Sequence, residues 1–201
     1  MIVLYSLLSH SPNIRKISMM LNETGLPYTI QKFERQSDGM LPTDFMAINP
    51  NGTVPAILDE DNGAVIFESG AILHYLAEKT GKFLPSDLKT RGETVQWLIF
   101  ETANMGPTLG ELYHYMLRAS EDIAEVHLQR YRDKVSKFCE VLERQLEGRD
   151  YLCGDYSIAD MALFPWAGIL EDMADVKLSD YPNLSAWVNR INRHPAAMAT
   201  A

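Results

Sequence analysis

Glu68 and Ser69 stand side by side directly before a run of apolar residues at helical spacing, Ile72, Leu73 and Leu76. The start of a helix carries unpaired N–H groups and the positive end of the helix dipole, so it attracts carboxylates. A serine hydroxyl adds one more donor, and a neighbouring glutamate suits an ammonium. Together the two residues fit an α-amino acid head group, with its carboxylate toward Ser69 and its amine toward Glu68. Ser69 is also expected to act as the N-cap of that helix. Upstream, Val54-Pro55 follows the polar turn "NPNGT". A proline at the start of a strand belongs at an edge or a bulge. In the commoner trans form this is an ordinary edge proline. A cis bond would turn the carbonyl and N–H of Val54 outward, free to pair with an extended, peptide-like ligand.

A second candidate lies near the beginning of the chain. In "SHSPN" Ser11 reads as an N-cap and Pro12 as the first helical residue, where a missing N–H costs nothing. A hydroxyl accepts two hydrogen bonds and donates one, so Ser11 can cap the helix and still donate to a ligand anion. Ser9 is the nearest rival. Tyr5 falls inside the run 2–7, which reads as a strand, His10 reads as a surface residue, and Lys16 reads as solvated on the helix, with a place near the ligand as the alternative.

These residues need a frame. Residues 2–7 and 28–33 read as strands flanking a helix from Pro12 to Gly25, and a short helix is expected around 42–47. "PAIL" (55–58) and "AVIF" (64–67) read as a hairpin turned by Asn62-Gly63. The helix after Ser69 ends at Gly81. From about 88 onward the pattern is helical: one long helix broken or kinked near Gly106-Pro107, another ending at Gly148, a central buried one over 158–171, and a last from Pro182 to about Arg193. "SIAD" (157–160) is a capping box and is assigned to folding. The expected domains are an α/β unit over 1–80, a linker over 81–87 and an all-α unit over 88–201.

The totals narrow the function. The chain has 201 residues, 46% of them hydrophobic, enough for a sizeable core. Its net charge of −9 and pI near 5.0 argue against nucleic acid or an anionic membrane as the main partner. Cys139 and Cys153 form neither a disulfide framework nor a zinc pattern, and the histidines lack metal-ligand spacing, so no metal is expected. "MIVLYSLLSH" lacks a basic n-region and a small-residue cleavage site and reads as a strand, so a cytoplasmic location is expected.

"NPNGTVPAIL" with "FESGAILHYLAEK", and "YLCGDYSIADMALFPW" further on, resemble the cytosolic glutathione transferases over essentially the whole chain. The resemblance implies a thioredoxin-like N-terminal domain followed by an all-α helical bundle. It implies glutathione as co-substrate, with Val54 beside a cis Pro55 holding the cysteinyl main chain and Glu68 and Ser69 holding the γ-glutamyl group. It also implies a homodimer acting on a small-molecule electrophile or disulfide. "SPN" followed by Lys16, and "MGPTLGELYHY", are similar to the bacterial Nu class, with Ser11 where that class has threonine. That similarity makes Ser11 and Asn13 the candidate thiolate-stabilising groups, with Ser9 and Tyr5 as alternatives. It also raises disulfide reduction or peroxidase activity, which needs no protein cysteine. By the same route Arg130 is a further candidate contact to glutathione, and Met105, Tyr113, His114 and Trp166 are candidates for the acceptor pocket. The competing expectation is a transferase-shaped interaction or regulatory module without catalysis.

Overall fold

The computed structural model describes residues 1–8, 11–34, 41–118 and 125–198. The chain divides into two compact units, Pro85–His194 and a first unit that combines Met1–Leu84 with the helix that begins at Pro195.

The first unit is built on β1 (Ile2–Leu7), α1 (Pro12–Thr24), β2 (Tyr28–Phe33), α2 (Thr43–Ile48), β3 (Ala56–Asp59), β4 (Ala64–Phe67) and α3 (Ser69–Thr80). The strands form one sheet in the order β2-β1-β3-β4. β1 pairs parallel with β2, Ile2 opposite Tyr28, and antiparallel with β3, Ile2 opposite Asp59. β3 and β4 form the expected hairpin, Ala56 opposite Phe67, and Gly63 turns it with φ 74°. The parallel β1–α1–β2 step followed by an antiparallel hairpin and a helix is the thioredoxin-like arrangement. Both long helices stop where a glycine enters the left-handed region: Gly25 closes α1 on the Leu21 carbonyl, and Gly81 closes α3 on that of Ala77.

α1 is buried more completely than its apolar stripe predicts. Every residue from Lys16 to Leu21 is buried, because α1 packs against α3 and also against the final helix Pro195–Met198. Arg15 ties the last contact by donating to the Ala197 carbonyl at 3.3 Å.

The second unit is helical: α4 (Leu88–Phe100), α5 (Gly106–Arg118), α6 (Glu125–Gln145), α7 (Ile158–Ala167), α8 (Leu170–Ala174) and α9 (Pro182–Ile191), the Pro195–Met198 helix being α10. Among its described residues the only β pairing is an isolated bridge between Cys153 and Asp155. The predicted kink near Gly106-Pro107 is a π-helical turn, Glu101–Met105, joining α4 to α5. Gly106 is required there: a β-carbon on it would run into Glu101 Oε1 and sit 3.4 Å from Trp166 Nε1. The helix expected over 158–171 is two helices. α7 stops at Gly168, three residues after Pro165, and α8 ends at Asp175 in the left-handed region.

All ten residues of α7 are buried. Its predicted capping box is present, with Ser157 and Asp160 serving each other's backbone N–H groups. Asp160 does more than that reading assigned to it. Its carboxylate also accepts from the Leu152 amide at 3.0 Å and from Trp187 Nε1 at 2.9 Å, joining the preceding loop and α9 to the start of α7. No helix among the described residues is long and apolar enough to cross a membrane.

Candidate functional site

Three backbone features shape the site in the first unit. The first is the loop before β3. Asn49 is buried; its amide donates to the Thr53 carbonyl at 2.7 Å and its Oδ1 accepts from the Asn51 amide at 3.0 Å. Gly52 turns the loop at φ 65° against the side chain of Met46. The loop delivers Val54-Pro55, whose peptide bond is cis. Val54 packs against the core formed by Tyr5, Leu41, Phe45 and Ala56, and it lies just outside the β3 ladders.

The second feature is the start of α3. Glu68, not Ser69, is the N-cap, and it makes no side-chain capping bond. Its φ of 68° lies in the left-handed region, a conformation that costs a non-glycine residue about 1–3 kcal/mol and concentrates at ligand-binding positions. Glu68 is exposed, while Ser69, the first residue of the helix, is buried. The N-cap position expected of Ser69 is therefore taken by its neighbour without a side-chain cap, and the Ser69 hydroxyl faces a different partner.

That partner is Lys16. Expected on the surface, it is 1% exposed. Its Nζ donates to Asn13 Oδ1 at 2.7 Å and to Ser69 Oγ at 3.3 Å. The third feature, the start of α1, is thereby joined to the start of α3. Ser11 is the N-cap of α1, with Pro12 following as predicted, yet its hydroxyl makes no capping bond. Ser11 and Asn13 are both half-buried. Ser9 and His10 lie outside the described residues.

Tyr5 is buried against Phe33 and Phe45, with ring centroids 6.1 Å and 6.5 Å away, and burial raises its hydroxyl above the ordinary tyrosine value. That is the environment of a core tyrosine. The cysteines are equally poor nucleophiles. Burial pushes Cys139 up to about 12 and Cys153 up to about 11, so neither is a thiolate at neutral pH.

The remaining candidates belong to the second unit. Met105 is fully buried and Trp166 is 7% exposed, so both are core side chains around the π-helical turn, and Met105 presents no surface to a pocket. Tyr113 and His114 are exposed on α5. Arg130 is exposed on α6, where it lines a shallow groove of about 370 Å³ with Val126, Gln129, Asp133, Lys134 and Lys137. No cluster of His, Cys, Asp or Glu among the described residues could hold a metal.

Two features escaped the sequence reading, the loop bonds of Asn49 and the burial of Lys16. Asn49 had only its place in "NPNGT" to mark it. Lys16 did carry a signal: it falls three residues after Asn13 and four before Met20, so all three share a helix face, and Met20 is fully buried.

Comparison with known proteins identifies the family. Residues 10–79 match the family model for the glutathione S-transferase N-terminal domain, and residues 107–195 that for the C-terminal domain. The disulfide-bond oxidoreductase YfcG of Escherichia coli (strain K12) is 38% identical over 192 residues, spanning 92% of this chain and 88% of that protein. A glutathione transferase from Burkholderia graminis, solved with two glutathione molecules bound per subunit, superposes with a TM-score of 0.90 at 37% identity, covering 98% of this chain and 85% of that one. One from Pseudomonas putida, solved with one glutathione disulfide bound per subunit, gives a TM-score of 0.89 at 33% identity over 98% of this chain and 89% of that one. With both domain models matched and a relative this similar along nearly its whole length, the chain belongs to the glutathione S-transferase family.

Proposed function

We propose that this chain binds glutathione along its first unit and stabilises the glutathione thiolate, either for attack on an electrophile or for reduction of a disulfide. The γ-glutamyl head group takes Glu68 and Ser69, the cysteinyl main chain takes Val54 beside Pro55, and the thiol lies toward Ser11 and Asn13. The observation that carries the reading is the convergence of two helix N-termini on one buried ammonium. Lys16 touches Asn13 at the start of α1 and Ser69 at the start of α3. The candidate thiol end and the candidate head-group end thus fall within the span of a tripeptide, about 10 Å when extended.

A free thiol titrates near ~8.5 and is mostly protonated at neutral pH. Donors at the start of α1, aided by the helix dipole, favour the anion. Ser11 suits this task because its hydroxyl is not engaged in capping. In transfer, the thiolate sulfur forms a bond to the electrophilic atom, and the pair of the bond it displaces leaves with the departing group or, on an activated double bond, moves onto the adjoining atom and takes up a proton. In reduction, one glutathione thiolate attacks a substrate disulfide and expels one substrate thiolate. A second glutathione thiolate then attacks the mixed disulfide and expels the other. The glutathione sulfurs are oxidised to glutathione disulfide and the substrate sulfurs take up two protons as thiols. The raised pKa values of Cys139 and Cys153 support chemistry that uses glutathione sulfurs alone.

We further assign the chain to the bacterial Nu-class type, on "SPN", Lys16 and "MGPTLGELYHY", and to the cytoplasm. A homodimer is supported by apolar side chains left exposed in each unit, Val65 and Phe67 on one face of β4 and Ile99 on α4. Arg130, Tyr113 and His114 stay candidates for ligand contacts because their side chains are accessible.

Calorimetric titration with glutathione and with its disulfide tests the reading, run on wild type, Ser69→Ala and Ser11→Ala. Wild type is expected to bind, Ser69→Ala to lose affinity, and Ser11→Ala to bind without supporting thiolate absorbance near neutral pH. Tighter binding of the disulfide than of glutathione marks a reductase. Absence of binding to either ligand by wild type overturns the proposal in favour of a transferase-shaped interaction module.

A further inference from the structure

Lys16 is almost fully buried, and it donates to two neutral groups that the proposed function assigns to the ligand. An ammonium carries three donor protons and no lone pair, so every group it bonds must present an acceptor. Two orientations follow. At Asn13 the oxygen must face Lys16, at 2.7 Å, which turns the amide NH2 away from it. At Ser69 the hydroxyl oxygen must accept, at 3.3 Å, which leaves the hydroxyl proton to point elsewhere. Without the lysine, either amide orientation and either hydroxyl role would be open.

We propose that Lys16 is a positioning residue: its buried ammonium fixes Asn13 and Ser69 as hydrogen-bond donors toward glutathione, one for the thiolate and one for the γ-glutamyl carboxylate. The inference rests on the functional reading above. It adds that the two ends of the site are set by a single side chain that does not itself touch the ligand. The same positive charge, held between two helix N-termini, favours both ligand anions.

The test compares wild type with Lys16→Met, Lys16→Arg and Asn13→Asp, each first checked for cooperative unfolding in urea. Binding of glutathione and of S-methylglutathione is measured by calorimetry, and the thiol pKa of bound glutathione by ultraviolet absorbance across pH. Lys16→Met is expected to weaken both ligands about ten- to hundred-fold, as for loss of charge-assisted hydrogen bonds, and to raise the bound thiol pKa. Lys16→Arg restores part of both. Adding Ser69→Ala to Lys16→Met is expected to cost far less than Ser69→Ala alone. Asn13 is half-buried, and aspartate there keeps an acceptor for Lys16, so this variant carries the test if Lys16→Met does not fold. It is expected to hold S-methylglutathione within about three-fold of wild type, yet to raise the bound thiol pKa, because it offers the thiolate no donor. A folded Lys16→Met protein with unchanged affinity and thiol pKa overturns the proposal, and so does Asn13→Asp with a wild-type thiol pKa. If wild type binds neither ligand, the functional reading falls and this inference with it. Wild-type binding with unaffected variants sinks the inference alone.

Discussion

Asp160→Ala is expected to be among the most damaging substitutions in the helical unit, although Asp160 lies in a motif whose ordinary role is only to begin a helix. One carboxylate oxygen accepts from the Leu152 amide and Trp187 Nε1, and the other from the amide and hydroxyl of Ser157. Leu152 and Trp187 are 0% exposed and Ser157 is 2% exposed, so water cannot replace the lost acceptor without opening the fold. A buried donor left without a partner costs about 1–3 kcal/mol. Three such N–H groups set a gross penalty of about 3–9 kcal/mol. Part is returned because the carboxylate itself was expensive to bury. Burial raises the Asp160 carboxyl above its ordinary value in spite of four donors. A net loss of about 3–5 kcal/mol remains, a large share of a typical folding free energy. Asp160→Asn keeps one oxygen for Leu152 and Trp187 and removes the desolvated charge, so it is expected to cost only about 1–2 kcal/mol.

Tryptophan fluorescence suits the measurement. The chain has three tryptophans, and Trp97, Trp166 and Trp187 all lie in the unit Pro85–His194. With a slope of about 3 kcal/mol per molar urea, the midpoint should fall by about 1 M or more for Asp160→Ala. In a Trp187→Phe background the same substitution should cost about 1–3 kcal/mol less, because one abandoned donor is already gone. An Asp160→Ala midpoint within about 0.3 M of wild type, or strict additivity with Trp187→Phe, would refute the reasoning.

Two glycines of α5 should respond in opposite directions. Gly110→Ala meets no atom within 4 Å and should raise stability by up to about 1 kcal/mol, whereas Gly106→Ala should lower it by about 1–3 kcal/mol by forcing Glu101 away; thermal melts compare them. Asp59 is buried, which alone would raise its carboxyl, but hydrogen bonds from Lys79 and Tyr75 outweigh this and hold it below the ordinary value. Its contribution is therefore present above the unfolded carboxyl pKa of about 4 and is lost as pH falls through the lower folded one. Melts from pH 7 down to 3 should show a shallower acid loss for Asp59→Asn than for wild type, and equal slopes would exclude this pair as a source. Native Cys139 and Cys153 should react slowly with a thiol reagent at pH 7, and a Cys139→Ala, Cys153→Ala protein should keep any glutathione-dependent activity; loss of turnover without loss of folding would point to a protein thiol in the chemistry.

The first unit was legible because its signals are local and mutually consistent. Ser11-Pro12 and Gly25 bracket α1, Asn62-Gly63 turns the hairpin, and Gly81 closes α3, each through a conformation that the residue type itself favours. The helical unit was read less finely because its boundaries depend on neighbours. Nothing local separates α7 from α8 as firmly as an αL glycine would, since Gly168 closes α7 with φ −69°. The π-helical turn at Glu101–Met105 is paired with a packing demand at Gly106 that only the three-dimensional neighbours Glu101 and Trp166 reveal.

The site shows the same division. Glu68, Ser69, Val54 and Pro55 stood out as candidates because each occupies the beginning of an element, where sequence determines backbone geometry most directly. Their roles were harder to assign. Ser69 takes the first helical position because Glu68 adopts the positive φ and the N-cap place, a choice that a Glu-Ser pair does not announce. Lys16 was placed on the surface because the usual prior for lysine is exposure, and its neighbours Ile14, Ile17 and Met20 account for the apolar face without it. That prior holds for a helix with one buried side. α1 has α3 and α10 packed against it, so a position that would be solvated on an ordinary amphipathic helix is enclosed. A lysine enclosed in that way must find acceptors, and Asn13 and Ser69 are among them. The candidate residues were thus marked in local sequence, whereas the donor polarity proposed for Asn13 and Ser69 arises only when the two helices meet.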